Sequence, residues 1–462
     1  MLQPNFLQPK NWFPMKKIIG IMLLLVVLLS VSCGDDTKSA PVVKPQPQPE
    51  TPKSYTILYY GSGGGLDDFM EWMIRDVAQV KDIPKSINIV GQVKWDEYHY
   101  SENSDGKGGV SRFKYNHKNR VVNYSKYAGP GKRIDDAENL AEFIQWARET
   151  APADEYIIFF FGHGNGYHPA FDGVTRGILR DDMYTSYLGI EAMREAFEMT
   201  DAKFSLMVMV CCLMNTLEYI TELEPYTDYY YASNHAVLAT SSELPLIVEG
   251  LVLNNGEQDA VLNASRYAIE ELYDLLNLGF TDNISLDASI TRCSSIENLN
   301  SEIRNFVDIL VQLYAEEAEV GCEVMQQKYG FTTQNIDEAL GDSYYLLASS
   351  LDYYRQEIAD LEWYRRAYTY DIVSIVNMVS GRVNHAELKM CAQRVELAAT
   401  EAQVYQRLYS SDMVYYSVSL VNSGEWSELG FEEANYEGLA FDKVTGWSRL
   451  LKLNNATFPH AQ

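Results

Sequence analysis

A histidine and a cysteine each follow directly on an apolar stretch of this chain. His163 lies in FFFGHGNGYHP, residues 159–169, and Cys212 comes two positions after FSLMVMV, residues 204–210. Only the thiolate form of a cysteine is a good nucleophile, and a free thiol is largely protonated at neutral pH. A histidine that takes up this proton solves the problem. The two residues therefore predict nucleophilic catalysis if the fold brings them together.

The elements around them predict how this happens. Short apolar runs alternate with amphipathic stretches over residues 55–255, and this pattern is typical of a mostly parallel sheet flanked by helices. The predicted strands are 55–60, 87–93, 156–161, 204–210 and 229–232, and the predicted helices are 66–74, 140–147, 190–197 and 213–223. Chemistry in such sheets sits at the carboxyl ends of the strands, where both His163 and Cys212 would lie.

These motifs resemble the clostripain family of cysteine peptidases, relatives of caspases, legumains and gingipains. The residues that carry the resemblance are YIIFFFGHGNG at 156–166, CCLM at 211–214 with Glu218, and YAS at 231–233. The spacing of 49 residues (212 − 163) is close to the roughly fifty of caspases. The resemblance implies an α/β, caspase-like fold, with Cys212 as nucleophile and His163 as general base and acid. It also implies an oxyanion hole formed by the amides of Gly164 and Cys212, and leaves Cys211 as a buried thiol at the strand end.

The chain departs from the family at the positions that bind basic side chains. The family's aspartate two residues before the nucleophile is Val210 here, and the acid that often follows Ala-Ser is Asn234. Val210, Ser233 and Asn234 are the candidate substrate-binding residues. We expect a preference at P1, the residue whose carbonyl is attacked, that is not strongly Arg or Lys. A degenerate relative that binds a polypeptide or a glycan without cleaving it stays open.

Other candidate sites have simpler explanations. The glycine-rich loop 61–65 lacks the lysine and serine of a phosphate-binding loop, so a plain strand-to-helix turn is expected. His168, near Asp172, and His235 lack the spacing of a metal cluster, although His235 could line the pocket. No cofactor or metal is expected. Some family members depend on calcium, but this sequence shows no ligand loop for it.

The amino terminus is typical of an exported lipoprotein. Met15-Lys16-Lys17 precedes an apolar run, residues 18–31, that is short for a membrane span, and Cys33 follows it as a candidate lipidation site. Residues 1–33 are thus interpreted as a signal region and residues 34–54 as a proline-rich tether. We expect attachment to the cell envelope of a bacterium, in the outer membrane and on its surface. Five cysteines remain, an odd number that suggests a free thiol.

The net charge limits the classes of partner, and the hydrophobic periodicity predicts the organisation of residues 256–462. The formal net charge of −27 disfavours nucleic acid and anionic membrane surfaces as partners. The resemblance to a peptidase family implies a protein or peptide substrate. Residues 256–411 are interpreted as a mostly helical second lobe, with helices at 298–314, 343–359, 361–379 and 386–408. Residues 412–462 are expected to form a strand-and-turn tail that packs on the catalytic domain, residues 55–255.

Overall fold

The computed structural model describes residues 52–104, 107–167, 177–181, 184–235, 237, 242–276, 286–329, 369–409, 415–419 and 436–456. Residues 49–462 belong to one compact unit. The predicted signal region, Cys33, His168, Arg176 and the predicted helix 343–359 lie outside the described residues.

A central sheet of nine described strands organises this unit. Its strands lie in the order β12-β10-β9-β8-β5-β1-β2-β3-β4. Strands β9, β8, β5, β1 and β2 run parallel, whereas β10, β12, β3 and β4 each pair antiparallel to a neighbour. The prediction of a mostly parallel α/β sheet is confirmed. The bounds are β1 Tyr55–Ser62, β2 Ile87–Lys94, β3 Val110–Asn116, β4 Val121–Ala128, β5 Glu155–Phe161, β8 Phe204–Val210, β9 Thr227–Ala232, β10 Leu286–Arg292 and β12 Gln403–Tyr409.

Two small sheets lie beside it. Strands β6 (Ile178–Asp181) and β7 (Ser186–Leu188) pair with one another, and β11 (Thr369–Asp371) pairs with β13 (Ser417–Ser419). The helices are α1 Asp67–Asp76, α2 Ala137–Thr150, α3 Ile190–Thr200, α4 Leu217–Leu223, α5 Glu243–Asn254, α6 Ala260–Leu276, α7 Ile296–Val320, α8 Cys322–Tyr329, α9 Ile372–Arg382, α10 Ala386–Ala402, α11 Ala440–Thr445 and α12 Ser448–Ala456. No helix of the described residues is long and apolar enough to cross a membrane.

The apolar run of β5 is explained by burial on both faces of the sheet. Successive side chains of a strand point to opposite faces. Phe160 therefore packs in one core cluster, whereas Phe159 and Phe161 pack in the other. All three side chains are at most 1% exposed. The run is continuous because helices cover both faces, and this packing fixes where the strand ends and where His163 begins its loop.

The structure corrects the sequence-based elements in several places. The helix predicted for 386–408 ends at Ala402, and the following residues form β12 of the central sheet. Residues 110–128 form the antiparallel pair β3 and β4, which was not predicted. The tail predicted as strand and turn contains, in its described part, one short strand and the helices α11 and α12.

The central sheet also takes strands from outside the predicted catalytic domain. Strand β10 pairs antiparallel with β9, and β12 pairs antiparallel with β10. Both strands come from residues 256–411, the segment interpreted as a mostly helical lobe. The described helices of that segment, α6 to α10, accompany these two strands.

Candidate active site

His163 and Cys212 lie at the same edge of the sheet and at matched positions. Strands β5 and β8 are parallel neighbours, and their register pairs Phe161 with Val210. His163 and Cys212 are each two residues beyond this pair. The Gly162 N–H donates to the Val210 carbonyl over 3.3 Å, so the pairing continues past the end of the strand. The fold thus brings the two predicted catalytic residues onto adjacent loops.

The glycine after the histidine packs against the cysteine backbone. A Cβ atom on Gly164 would lie 2.6 Å from the carbonyl oxygen of Cys212, 2.8 Å from the Cβ atom of Cys211 and 3.0 Å from the Cys212 nitrogen. Real Cβ atoms do not approach backbone atoms so closely, so this contact requires glycine. The two residues whose amides are the predicted oxyanion hole are therefore in direct contact.

A backbone carbonyl orients the histidine. The Nε2 atom of His163 lies 2.8 Å from the carbonyl oxygen of Gly64. Because a carbonyl oxygen can only accept, this bond assigns the proton of a neutral imidazole to Nε2 and leaves Nδ1 as the acceptor. Gly64 belongs to the glycine-rich loop 61–65, which the sequence predicted to be a plain turn. The loop does connect β1 to α1, and it also supplies the partner of His163.

The adjacent cysteines differ in exposure. Cys211 is 1% exposed, and burial raises the pKa of its thiol well above the usual value. Cys212 is partly exposed, and its Sγ atom accepts a hydrogen bond of 3.4 Å from the Val237 N–H. Burial also raises the pKa of Cys212, whereas the N–H groups of Val237 and of Cys212 itself lower it. The described side chains of Cys211, Cys212, Cys293 and Cys391 are free thiols.

The candidate substrate-binding residues are buried. Val210 is 4% exposed and belongs to one of the two core clusters. Ser233, Asn234 and His235 follow β9 and are also buried. All three donate hydrogen bonds to the carboxylate of Asp287 in β10. The sequence did not indicate Asp287 as a site residue.

Segments from the end of the chain contact the loop after the nucleophile. The Ser417 N–H donates to the Asn215 carbonyl over 3.0 Å, and the side-chain amide of Asn215 donates to the Tyr415 carbonyl over 2.8 Å. In α4, the carboxylate of Glu218 accepts from the Ser419 N–H at 2.8 Å and from the Tyr436 hydroxyl at 3.0 Å. Burial raises the pKa of Glu218 to about 7, although these two bonds lower it.

Two cavities lie near opposite ends of the parallel strands. One of about 430 Å³ adjoins His163 through Gly64, and its lining includes the charged residues Lys94, Asp96, Glu97, Arg180 and Asp181. A larger groove of about 840 Å³ includes Tyr55, Glu155 and Thr227 at the amino ends of the parallel strands. The smaller cavity is the better candidate for substrate, because reactions in such sheets take place at the carboxyl ends. Within the described residues, no group of three or more His, Cys, Asp or Glu side chains is placed to hold a metal ion.

A histidine and a cysteine at the carboxyl ends of neighbouring parallel strands, within a sheet flanked by helices, define a cysteine hydrolase of caspase-like fold. Residues 118–434 match the model of the Clostripain family, Peptidase_C11. The chain belongs to this family and is a clostripain-like cysteine peptidase.

Solved structures of cysteine proteases have the same fold. A secreted C11 cysteine protease from Bacteroides thetaiotaomicron, in complex with an irreversible peptide inhibitor, matches with a TM-score of 0.55 and 14% identity, over 86% of this chain and 99% of that chain. An inactive zymogen C11 protease from Parabacteroides distasonis matches with a TM-score of 0.54 and 14% identity, over 86% and 99%. At this identity the likeness shows the fold alone. A search of curated protein sequences found no match.

Proposed function

We propose that this chain is an exported, lipid-anchored cysteine endopeptidase that cleaves peptide bonds with Cys212 and His163. The observation that carries the proposal is the register of β5 and β8, in which both residues follow the Phe161–Val210 pair by two positions. The contact of Gly164 with the Cys212 backbone and the bond between His163 and Gly64 support it.

Acylation begins with removal of the proton from the Cys212 thiol. His163 takes this proton, and the Cys212 sulfur attacks the peptide carbonyl carbon to form a C–S bond. The carbonyl oxygen becomes an oxyanion, which the amides of Gly164 and Cys212 stabilise; loss of one such donor elsewhere costs about a hundredfold or more in rate. When the C–N bond breaks, His163 protonates the leaving amine, and a thioester remains on Cys212.

Deacylation runs through the same groups. His163 removes a proton from water as the water oxygen attacks the thioester carbon. The C–S bond then breaks, the sulfur is protonated again, and the carboxylate product leaves. Water and the peptide supply every atom of the two products.

Covalent labelling tests the nucleophile. A peptide carrying an electrophilic ketone at its P1 carbonyl should label the wild type and the Cys211→Ala variant, and should not label Cys212→Ala. Peptide hydrolysis should follow the same order. Hydrolysis that survives in Cys212→Ala and is lost in Cys211→Ala would reverse the assignment. A wild type that binds polypeptide but neither labels nor hydrolyses would support the alternative, a catalytically degenerate surface lipoprotein that binds a polypeptide or a glycan.

The P1 pocket should not prefer basic side chains. Val210 is apolar and buried, and a guanidinium without a carboxylate partner is costly to bury. Asn234 is also neutral, and the nearby Asp287 already accepts bonds from three residues of the chain. In a panel of peptides that differ only at P1, uncharged residues should be cleaved faster than Arg or Lys. A clear preference for Arg or Lys would overturn this specificity.

Anchoring depends on Cys33. The apolar run 18–31 and the proline-rich residues 40–52 suit a lipidated cysteine on a tether. Cys33→Ser should abolish metabolic labelling by a fatty acid and move the protein from the membrane fraction to the soluble fraction. Equal labelling of the variant and the wild type would exclude Cys33 as the lipid site.

A further inference from the structure

We propose that Asp287 is a positioning residue for the nucleophile, acting through a loop whose described residues are Ser233, Asn234, His235 and Val237. The inference rests on the proposed function of Cys212. It assigns a role to the buried carboxylate that the site otherwise leaves unexplained. Asp287 touches no reacting atom; its effect reaches Cys212 through hydrogen bonds of the loop.

The first step is the set of hydrogen bonds by which Asp287 holds the loop. Its side chain is fully buried, and its two oxygens accept from five donors on three consecutive residues. These donors are the Ser233 hydroxyl at 2.9 Å, the Asn234 N–H at 3.0 Å and side-chain amide at 2.8 Å, and the His235 N–H at 3.1 Å and Nδ1 at 2.9 Å. Strand β10 holds Asp287 in place, because Ser289 pairs with Ala232 directly before the loop.

The second step is the contact between this loop and the nucleophile segment. The carbonyl of Ser233 accepts from the Asn215 N–H, and the carbonyl of His235 accepts from the Leu213 N–H, both at 3.0 Å. Two residues further, the Val237 N–H donates to the Cys212 sulfur. The loop therefore holds the backbone directly after Cys212 and also contacts the sulfur atom itself.

The third step is the chemical requirement for a carboxylate. Every group that the loop directs at Asp287 is a donor, or becomes one once Nδ1 of His235 carries a proton. An ionised carboxylate is acceptor-only and meets all of them. An asparagine of the same shape would turn an NH2 group toward some of these donors. The loop would then shift, and Cys212 would lose alignment although the fold is retained. Because its oxygens are occupied in this way, Asp287 does not serve as the acid for a basic P1 residue.

The test compares Asp287→Asn with Asp442→Asn, both in the full chain. Asp442 is a matched control, because it is also a buried carboxylate and, among the described residues, it accepts from the Ser448 N–H and hydroxyl only. We expect Asp287→Asn to lower kcat by tenfold to about a hundredfold, a larger factor than its effect on KM, which is the signature of misplaced catalytic groups. Asp442→Asn should retain the wild-type kcat.

A second readout does not depend on peptidase activity. The rate of Cys212 alkylation by iodoacetamide, followed by mass spectrometry against pH, reports the thiolate. Loss of the Val237 N–H should move the profile of Asp287→Asn to higher pH. Cys211 is the titratable neighbour that interacts electrostatically with Cys212, and it is unchanged in both variants. If the wild type hydrolyses no peptide, the proposed function fails, whereas this shift still tests the role of Asp287.

A third variant covers the case in which Asp287→Asn does not fold. Ser233→Ala removes one of the five donors at little cost in volume, and it should lower kcat several-fold in the same direction. Folded Asp287→Asn with the kcat and alkylation profile of the wild type would overturn the proposal. The proposal would also be overturned if kcat of Asp287→Asn fell only in proportion to the folded fraction measured by circular dichroism. If Asp287→Asn is insoluble, a Ser233→Ala variant with the wild-type kcat would overturn it.

Discussion

At the scale of the residue, Cys212 combines a partly buried thiol with a base that is already oriented. Burial raises the pKa of the thiol, so we expect the free enzyme to hold Cys212 mostly protonated at neutral pH. The rate of alkylation by iodoacetamide should rise with pH and reach half its limit above the ordinary thiol pKa of about 8.5. Mass spectrometry of Cys212 against pH measures this. A limiting rate already reached at pH 6 would contradict it and indicate a resting thiolate–imidazolium pair.

Gly164 gives a second prediction at this scale. In Gly164→Ala the new methyl would meet the Cys212 carbonyl at 2.6 Å, and both partners are backbone held by strand ends. The loops must separate, so kcat/KM should fall by at least about a hundredfold. Gly129→Ala is the matched control, because nothing lies within 4 Å of its new atom. Comparable hydrolysis by the two variants would show that the contact does not matter for catalysis.

The sequence predicted where His163 and Cys212 lie better than it predicted the groups that contact them. The positions of His163 and Cys212 could be predicted because each follows a buried strand, and the end of an apolar run marks the end of such a strand. Gly64 and Asp287 could not be found this way. Gly64 acts through a backbone carbonyl, which no side-chain type reveals, and Asp287 lies 52 residues beyond His235 on another strand. Partners across such separations are set by tertiary pairing.

At the scale of the element, α4 joins the nucleophile loop to the end of the chain. Glu218 is fully buried, and only its Oε1 atom accepts from described groups, Ser419 and Tyr436. Its folded pKa of about 7 is above the unfolded value, so the stability it contributes is fully present below about pH 4.5 and is lost as pH rises toward and through 7.

The Glu218→Gln variant tests this statement. Glutamine keeps the Oε1 acceptor and cannot ionise, so the variant should match the wild type near pH 4.5 and exceed its free energy of unfolding by up to about 3 kcal/mol at pH 8. Urea titrations at the two pH values measure the difference. The exposed Glu138→Gln in α2 is the control and should show no such trend. A Glu218→Gln variant less stable than the wild type at pH 8 would mean that the charged carboxylate is favourable.

The elements themselves were predicted unevenly. The parallel strands β1, β2, β5, β8 and β9 appear in the sequence as compact apolar runs, because both of their faces are covered. Strand β12 was predicted as the end of a helix, because QVYQRLY follows α10 directly and no glycine or proline separates the two. Only its pairing with β10 makes it a strand, and that pairing joins segments more than a hundred residues apart.

At the scale of the whole molecule, the loop between the two catalytic residues bears on self-cleavage. Arg180 and Arg176 are the basic residues at which an Arg-directed family member could cut this loop. Arg180 lies in β6, its carbonyl accepts from the Ser62 hydroxyl at 2.6 Å, and the next residue, Asp181, is fully buried in an ion pair with Lys94. A protease needs an extended, accessible segment, so the bond after Arg180 is protected in the folded state.

We therefore expect the purified protein to remain a single chain. Intact-mass spectrometry after prolonged incubation at activity-optimal pH should show no fragment that ends at Arg180 or Arg176. Cys212→Ala, incubated in parallel, distinguishes self-cleavage from a contaminating protease. Fragments that end at either arginine in the wild type, and are missing in Cys212→Ala, would contradict both the single chain and the expected P1 preference.

The hydrogen bonds from Tyr415, Ser417 and Ser419 to the segment after Cys212 have a consequence for the timing of synthesis. The ribosome adds residues from the amino end, so Cys212 is made about two hundred residues before the groups that brace its loop. A growing chain that has passed Cys212 has the nucleophile but not yet β10, β12 or this brace. These contacts can form only after residues 415–419 have been made, so the braced arrangement around Cys212 assembles about two hundred residues of synthesis later than Cys212 itself.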